Sequence, residues 1–346
     1  MNTNRRLALI SLTLILVFST MMIGCSSSNN TEEKDDVINI KIAHTDSDTR
    51  STHIWSVWLG EYLEEKAPGQ FVVEVYPDGK LGDTSELIEE MAQNNSEKGL
   101  VIFDLSSVVS SSAGPEAACI DLPYLYPTYE DWVIGTFENG GLELFRDSLK
   151  GYGFYCIDMY YNGMRQVISR VGPFNNLDAI KGQKIRISRN LINIEIWNAL
   201  GAFPAPMPWG EVISTMKNGQ IDALDHSLGV FNDFNFHEFA PYITLTNHAS
   251  SPFPIVTSLE WIESLDPELR EIFEEGVHEM ARQQREEERK LEDDYLIRFQ
   301  NEGATVTELS EEEVAVFSEA VQPVYDMWRE LVGSKIVDEW LGTVPK

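Results

Sequence analysis

The chain has 346 residues, of which 43% are hydrophobic, and its 56 acidic and 26 basic residues give a formal net charge of −30. Nucleic acids and anionic lipid surfaces bind cationic faces, so this acidity excludes both as direct partners. The length is sufficient for two lobes of ordinary domain size.

Residues 1–24 have the order of a secretory signal peptide. Two arginines precede an apolar run, Leu7 to Phe18, which is too short to span a membrane. Gly24-Cys25 followed by three serines is similar to a bacterial lipoprotein cleavage site, which predicts Cys25 as the lipidated residue. An ordinary signal peptide with a chance cysteine is the alternative. Polar residues 25–36 predict a disordered tether, so we expect an exported domain, lipid-anchored on the outer face of the cytoplasmic membrane (periplasm or cell surface).

The chain then alternates strand and helix signals, which predicts the α/β class. Asp83 and Glu86 have the spacing of a helix capping box. The apolar stripe of the first helix is predicted at Ile54, Val57, Trp58 and Tyr62. The predicted elements are a strand at 37–43, a helix at 49–66, a strand at 71–76, a helix at 83–93, a strand at 99–105 and a serine-rich loop at 106–112.

The same rhythm returns in the middle of the chain and predicts a second lobe built like the first. A glycine ends each of its three predicted helices. The elements are a short helix at 176–182, a strand at 184–188, a helix at 191–200, an extended segment at 202–207, a helix at 210–218 and a strand at 221–224.

Residues 266–303 form the longest helical pattern. It begins Asp266-Pro267-Glu268, which supplies an N-cap, a proline at the first helical position and an acid in the first turn. Two apolar sets follow, separated by the charged segment 282–290. Either one helix about 50 Å long bridges two lobes with an exposed middle, or two helices share a solvated charged face.

One basic stretch, residues 165–189, contains six cationic residues and a single acid. In Lys184-Ile185-Arg186-Ile187, strand alternation puts both isoleucines on one face and Arg186 on the other, facing solvent or a cleft. A guanidinium fork matches a carboxylate with two parallel hydrogen bonds at any physiological pH. Arg186 is therefore the candidate for anion binding.

Several motifs occur in a recognisable order. They are VYPDGKLGD at 75–83, DLPY at 121–124, YNGMRQ at 161–166, LDAIKGQKIR at 177–186, GAFPAPMPWGEV at 201–212 and GQID at 219–222. Together they resemble the solute-binding proteins of TRAP (tripartite ATP-independent periplasmic) transporters, the DctP-like family. The resemblance extends from about residue 40 to residue 340, nearly the whole exported chain.

The resemblance implies a periplasmic-binding-protein-like fold: two α/β lobes joined by crossing strands and a long spanning helix, with the ligand between them. Lobe I would comprise 37–162 and about 252–290, and lobe II would comprise 163–251 and about 291–346. The implied function is capture of an organic acid anion and its delivery to the small and large TRAP permease subunits. A ligand-binding sensor that feeds a chemoreceptor or kinase is the alternative that the residues leave open.

The resemblance also assigns site residues. It implies a bidentate pair between the ligand carboxylate and Arg186, with Arg165 beside it and Trp209 against the ligand's apolar face. The other implied contacts are Asp225, His226 and Arg189 from the second lobe, and His44, Thr45, Asp83, Thr84 and Ser106 from the first.

The sequence departs from the family pattern at two of these positions. His226 stands where an asparagine is usual, and Ser188-Arg189 replaces a proline. Arg189 either recognises a second anionic group or is solvated. Because of these departures, no particular ligand is carried over from the family.

No catalytic motif is present: the chain has no G-x-S-x-G, P-loop, G-x-G-x-x-G or H-E-x-x-H pattern. We therefore predict no enzyme activity, no catalytic residue and no cofactor, and we interpret Asp225-His226 as ligand recognition, not as an acid–base dyad. His226, His237 and His248 are evenly spaced but match no helix or strand period, so no metal site is predicted. Cys119 and Cys156 could form a disulfide or remain buried thiols.

Overall fold

A computed structural model describes residues 37–93, 98–104 and 106–346. The predicted signal peptide, the predicted lipidation at Cys25 and the predicted tether lie outside these residues. Within the described part of the chain, no helix combines the length and the apolar character needed to cross a membrane.

Strands and helices alternate along most of the chain. The strands are β1 (Ile38–Ala43), β2 (Phe71–Tyr76), β3 (Leu100–Phe103), β4 (Phe154–Met164), β5 (Gln166–Ser169), β6 (Lys184–Ile187), β7 (Phe203–Pro206), β8 (Ala223–His226), β9 (Tyr242–Leu245), β10 (Ser250–Ser258) and β11 (Thr305–Glu308). The helices are α1 (Ser51–Lys66), α2 (Thr84–Ala92), α3 (Ser106–Ser112), α4 (Tyr129–Val133), α5 (Gly141–Lys150), α6 (Leu177–Ile180), α7 (Leu191–Ala199), α8 (Trp209–Lys217), α9 (Leu228–Asp233), α10 (Leu259–Ser264), α11 (Pro267–Asn301), α12 (Glu311–Ala320), α13 (Gln322–Val332) and α14 (Ser334–Leu341). Short 3₁₀ helices at Pro115–Asp121 and Phe236–Glu238 and a π-helix at Ile134–Glu138 complete the helical segments.

The described residues form two sheets, with strand orders β2-β1-β3-β10-β4 and β11-β9-β5-β8-β6-β7. In the first sheet β1 is parallel to β2 and β3, and in the second β6 is parallel to β7 and β8. The chain crosses between the sheets three times: from β4 to β5, from β9 to β10, and from β10 to β11 through α10 and α11. The predicted two-lobed α/β fold is confirmed.

Residues 267–301 form one helix, α11, so the single-helix alternative is correct. Asp266 caps its N-terminus by accepting a hydrogen bond from the backbone N–H of Glu268 at 2.9 Å. Near its start Phe273 and Val277 pack into the core of the first sheet, and near its end Phe299 packs into the core of the second. At 1.5 Å per residue, its 35 residues extend about 50 Å.

The expectation that the middle of α11 is exposed is correct for only one face of the helix. Gln284 and Glu288 are buried, and Arg285 is 9% exposed. The amide of Gln284 bonds both the N–H and the C=O of Tyr161 in β4, and Arg285 Nη1 donates to Asp158 Oδ1 at 2.6 Å. Buried polar groups are tolerated when they are paired. The buried face of this charged segment bonds to strand β4 instead of to water.

Glu292 is a buried acid of α11 beside the first crossing. The hydroxyl of Tyr161 donates to its Oε1 at 3.2 Å, and Arg289 Nη1 lies 3.6 Å from its Oε2. Burial raises the pKa of Glu292 to about 7, because Arg289 only partly offsets the lost hydration and Glu288 adds a like charge.

This raised pKa makes stability depend on pH. A glutamate in the unfolded chain titrates near 4.5 and the folded one near 7, so the folded state binds more protons between these values and stability falls as pH rises through them. We expect Glu292→Gln to equal the wild type at about pH 4 and to have a free energy of unfolding about 3 kcal/mol higher at about pH 8, measured by urea unfolding. Glu275→Gln, at an exposed position of the same helix, is the control. Identical pH profiles for Glu292→Gln and the wild type would contradict the prediction.

Two local predictions were wrong. Residues 106–112 form α3 and not a loop, and the hydroxyls of Ser110 and Ser111 donate to backbone carbonyls within this helix. The predicted stripe of α1 is partly exposed, since Ile54 is 50% and Val57 is 46% accessible. The buried face instead includes Ser56, whose hydroxyl donates to the Thr52 carbonyl and lies 3.0 Å from the hydroxyl of Tyr160.

Cys119 and Cys156, the two cysteines within the described residues, are free buried thiols, which answers the question that the sequence left open. Burial raises the pKa of Cys119 to about 12, so this thiol is protonated at neutral pH.

The C-terminal helices, predicted as part of lobe II, contact segments assigned to lobe I. The hydroxyl of Tyr325 donates to the Pro123 carbonyl at 2.7 Å, and Tyr126 bonds Thr343 at 2.6 Å. Helix α13 also contacts α7 of the second lobe. The lobe boundaries themselves stay a prediction.

Candidate ligand-binding cleft

A cleft of about 420 Å³ lies at the carboxyl ends of parallel strands from both sheets. Ligands of open α/β sheets bind at this edge, because the loops that leave neighbouring parallel strands converge there. From the first sheet come residues that follow β1 and β3 or begin α2, and from the second come residues of β6 and β8 and those that follow β6 and β7. The lining residues are Thr45, Asp46, Asp83, Ser85, Glu86, Asp104, Val108, Arg186, Ser188, Arg189, Met207, Pro208, Trp209, His226, Val230, Phe234 and Phe253.

Arg186 is the most deeply buried charge in this lining, at 4% exposure. Ile185 and Ile187 pack into the core on the opposite side of β6, as the alternation of the strand requires. The Arg186 guanidinium carbon lies 5.3 Å from the centroid of the Trp209 ring, and Nη2 donates to the Met207 carbonyl at 3.0 Å. Its Nε and Nη1 have no hydrogen-bond partner among the described residues.

The surroundings of Arg186 lower the pKa of its guanidinium but do not neutralise it. Burial and the nearby Arg165 lower its pKa to about 9, although Asp225 and Asp104 act in the opposite direction. The guanidinium is still charged at neutral pH. It is a desolvated cation at the cleft with two nitrogen donors that make no hydrogen bond. An anionic ligand would supply the missing charge and acceptors.

Arg165 lies behind this wall and does not line the cleft. Its Nε donates to Asp225 Oδ1 at 2.7 Å and its Nη2 to the Asp225 carbonyl at 3.0 Å. Trp197 and His248 approach the other carboxylate oxygen at 2.7 and 3.2 Å. Burial would raise the pKa of Asp225, but Arg165 and His248 hold it well below its usual range. Arg165 and Asp225 thus form a satisfied ion pair.

His226 lines the cleft as a neutral imidazole. Burial, with Arg165 and Arg186 nearby, lowers its pKa well below the usual value. Its Nδ1 accepts a hydrogen bond from the N–H of Ser227 at 2.9 Å, so the proton of the neutral ring is on Nε2. The ring lies edge-on to Trp209, with 5.3 Å between centroids.

The structure separates the predicted site residues into two groups. Six of them line the cleft, namely Thr45, Asp83, Arg186, Arg189, Trp209 and His226, and their role in binding stays a prediction. Arg165, Asp225, His44, Thr84 and Ser106 are buried and are not part of the lining.

His44 and Ser106 bond to protein partners. His44 Nε2 lies 3.1 Å from His53 Nδ1 and its ring stacks on Phe103, while Ser106 donates to Asp121. Burial lowers the pKa of His44 to about 4.

The sequence reasoning missed most of the acidic lining from the first sheet. Asp46 follows β1 by three residues and Asp104 directly follows β3, so both lie at the edge where the parallel strands end. An acid just after a strand was the available signal. Because acidic residues are common throughout this chain, their position after these strands did not mark them as site residues.

The DctP family, described as bacterial extracellular solute-binding protein family 7, matches residues 42–331. The ectoine-binding periplasmic protein TeaA of Halomonas elongata is 24% identical over 320 residues, which are 91% of this chain and 90% of that protein. The C4-dicarboxylate-binding protein DctB of Bacillus subtilis is 24% identical over 311 residues, which are 90% of this chain and 87% of that protein.

Solved structures show the same fold. The sugar acid binding protein DctPAm from Advenella mimigardefordensis, in complex with galactonate, has a TM-score of 0.81 at 24% identity and covers 89% of this chain and 97% of its own. A TRAP periplasmic solute binding protein from Roseobacter denitrificans with bound β-D-glucuronate has a TM-score of 0.82 at 20% identity, with coverages of 89% and 100%. The family resemblance of the motifs is confirmed by the family match, which includes most of the chain. This chain belongs to the DctP family of bacterial extracellular solute-binding proteins.

Proposed function

We propose that the chain is the extracytoplasmic solute-binding subunit of a TRAP-type transporter, which binds an organic acid anion in the cleft and delivers it to the membrane permease subunits. The observation that carries this proposal is Arg186, a buried guanidinium with Nε and Nη1 unbonded at the wall of a 420 Å³ cleft. Leaving a buried charge unpaired is costly, and a ligand carboxylate would supply the missing partner.

The ligands named for related proteins support an organic acid. Galactonate and β-D-glucuronate occupy the two solved structures, and DctB is named for C4-dicarboxylates. These molecules share a carboxylate and differ in the remainder. We therefore expect the ligand of this chain to carry a carboxylate, and we infer nothing about the rest of the ligand from these relatives.

The proposed roles follow from position. Arg186 pairs with the carboxylate, Trp209 packs against carbon atoms of the ligand, and the Nε2–H of His226 donates a hydrogen bond. The Arg165–Asp225 pair acts indirectly: it supports the wall and helps to set the charge state of Arg186. The cleft binds and releases its ligand without chemical conversion.

The lobe assignment also remains part of the proposal. Lobe I comprises 37–162 and about 252–290, and lobe II comprises 163–251 and about 291–346. The ligand contacts the walls of both lobes only when they are close together, so binding favours the closed form. The chain is held at the outer face of the membrane through a lipid on Cys25, which membrane fractionation of a Cys25→Ser variant would test.

A thermal-shift screen of organic acids tests the function. A ligand that binds only the folded state stabilises it by about 2.7 kcal/mol at one hundred times its dissociation constant, which corresponds to a rise in Tm of roughly 4 °C for a protein of this size. We expect at least one carboxylate to give this shift, to be recovered unchanged and to compact the protein in small-angle scattering. If no organic acid stabilises the protein, or if the bound acid is converted, the proposed function is wrong.

A further inference from the structure

The two walls of the cleft carry opposite charge. The acidic wall consists of Asp46, Asp83, Glu86 and Asp104, all contributed by segments that follow the first sheet's strands. The basic wall consists of Arg186 and Arg189, from β6 and the residues after it. Because each wall belongs to a different sheet, a ligand between them has one end near each charge.

The bonds that Asp46 and Asp83 of the acidic wall make within the protein leave acceptor capacity. Asp46 accepts a hydrogen bond from Thr52 at 2.6 Å and lies 3.8 Å from Arg50. Asp83 accepts one bond, from the N–H of Ser85 at 2.9 Å. An ionised carboxylate can accept about four hydrogen bonds, so these contacts do not saturate either side chain.

The charges of the lining do not balance. Four carboxylates face two guanidiniums, and His226 is neutral because burial lowers its pKa well below the usual value. Arg186 attracts a carboxylate at one end of a ligand. A second carboxylate on the same ligand would face the acidic wall, where like charges repel, whereas a cationic nitrogen there would be attracted.

We propose that the ligand is a zwitterion, whose carboxylate binds Arg186 and whose positively charged nitrogen binds the acidic wall. This inference rests on the proposed function and narrows the ligand class from organic acids in general to those that also carry a positive charge. The acidic wall is not the only support, since Arg186 is itself buried, lines the same cleft and has unbonded donors. The competing explanation is that the four acids only balance the neighbouring arginines.

Length-matched pairs of ligands separate these explanations. Isothermal titration calorimetry would compare γ-aminobutyrate with succinate, δ-aminovalerate with glutarate, and ε-aminocaproate with adipate. Within each pair the carboxylate is constant and the other end is an ammonium or a second carboxylate. For at least one length we expect the amino acid to bind at least about tenfold more tightly than the dicarboxylate.

Two isosteric variants test the acidic wall itself. Asp104→Asn removes the negative charge of a side chain that is 8% exposed. Asp83→Asn removes a negative charge and keeps the N-cap of α2, since asparagine caps a helix as well as aspartate does. Both should reduce the preference for the amino acid over the dicarboxylate by about threefold or more. Asp266→Asn is the matched control, because Asp266 caps α11 with the same 2.9 Å bond and is not part of the cleft lining.

The outcomes are distinct. A dicarboxylate that binds as tightly as its matched amino acid, or tighter, overturns the zwitterion, and so does a preference that survives both variants unchanged. In those cases loss of binding in Arg186→Ala would still support the proposed function. If neither class binds while another organic acid does, the inference is overturned and the proposed function stands. If no organic acid binds, both the inference and the proposed function are overturned.

Discussion

Replacing Arg186 with alanine should reduce carboxylate affinity by about 30-fold to several thousandfold. Truncating one member of a desolvated charge pair costs about 2–5 kcal/mol, and each 1.4 kcal/mol is a factor of ten. The effect is large because Arg186 is 4% exposed, so the ligand carboxylate would lose its partner at a site where it is largely desolvated. Calorimetry with any carboxylate found by the thermal-shift screen measures it.

Two further variants give this prediction its controls. Arg186→Lys should also bind poorly, because an ammonium lacks the planar fork and the stacking surface that now faces Trp209. Lys184→Ala should bind normally, since it removes a cation from the exposed start of the same strand, outside the cleft. Unchanged affinity in Arg186→Ala would remove Arg186 from the site.

Replacing Asp225 with alanine should lower the free energy of unfolding by about 3–5 kcal/mol. The substitution leaves the buried guanidinium of Arg165 without its counterion and the indole N–H of Trp197 without its acceptor. Removing one partner of a buried ion pair has this cost, because the remaining charge stays desolvated. Urea unfolding followed by fluorescence and circular dichroism measures the change and tests whether both probes agree.

The control for this prediction is Asp178→Ala, at an exposed position in the first turn of α6. Its expected change is within about 1 kcal/mol, the size of one charge–dipole interaction at a helix end. A loss below about 1 kcal/mol in Asp225→Ala would show that Arg165 finds another partner or water. The view of this pair as a fixed support of the cleft would then be wrong.

Much of the local structure could be predicted from the sequence, because its causes lie within a few residues. Asp83 and Asp266 cap the helices that follow them, and Asn176 caps α6. The isoleucines that flank Arg186 in β6 occupy the core, so alternation correctly assigned the arginine to the other face. The spaced motifs identified the family and, with it, the fold.

Other features depended on neighbours that are distant along the chain. Ser56 is on the buried face of α1 because Tyr160 is within hydrogen-bonding distance, and Gln284 is buried in α11 because β4 supplies its partners. The strands and helices between residues 113 and 169 were not predicted. Burial of a polar residue depends on whether a partner exists, which local periodicity does not encode.

The sequence by itself determined the class of the fold, the basic strand and the anion-binding candidate Arg186. Only the tertiary structure decided that Arg165 belongs to Asp225, 60 residues away, while Arg186 keeps two donors unbonded. It also decided that the acids after β1 and β3 line the same cleft as Arg186. Charges that are far apart along the chain interact through space, and their distances and desolvation are set by the packing of the two sheets.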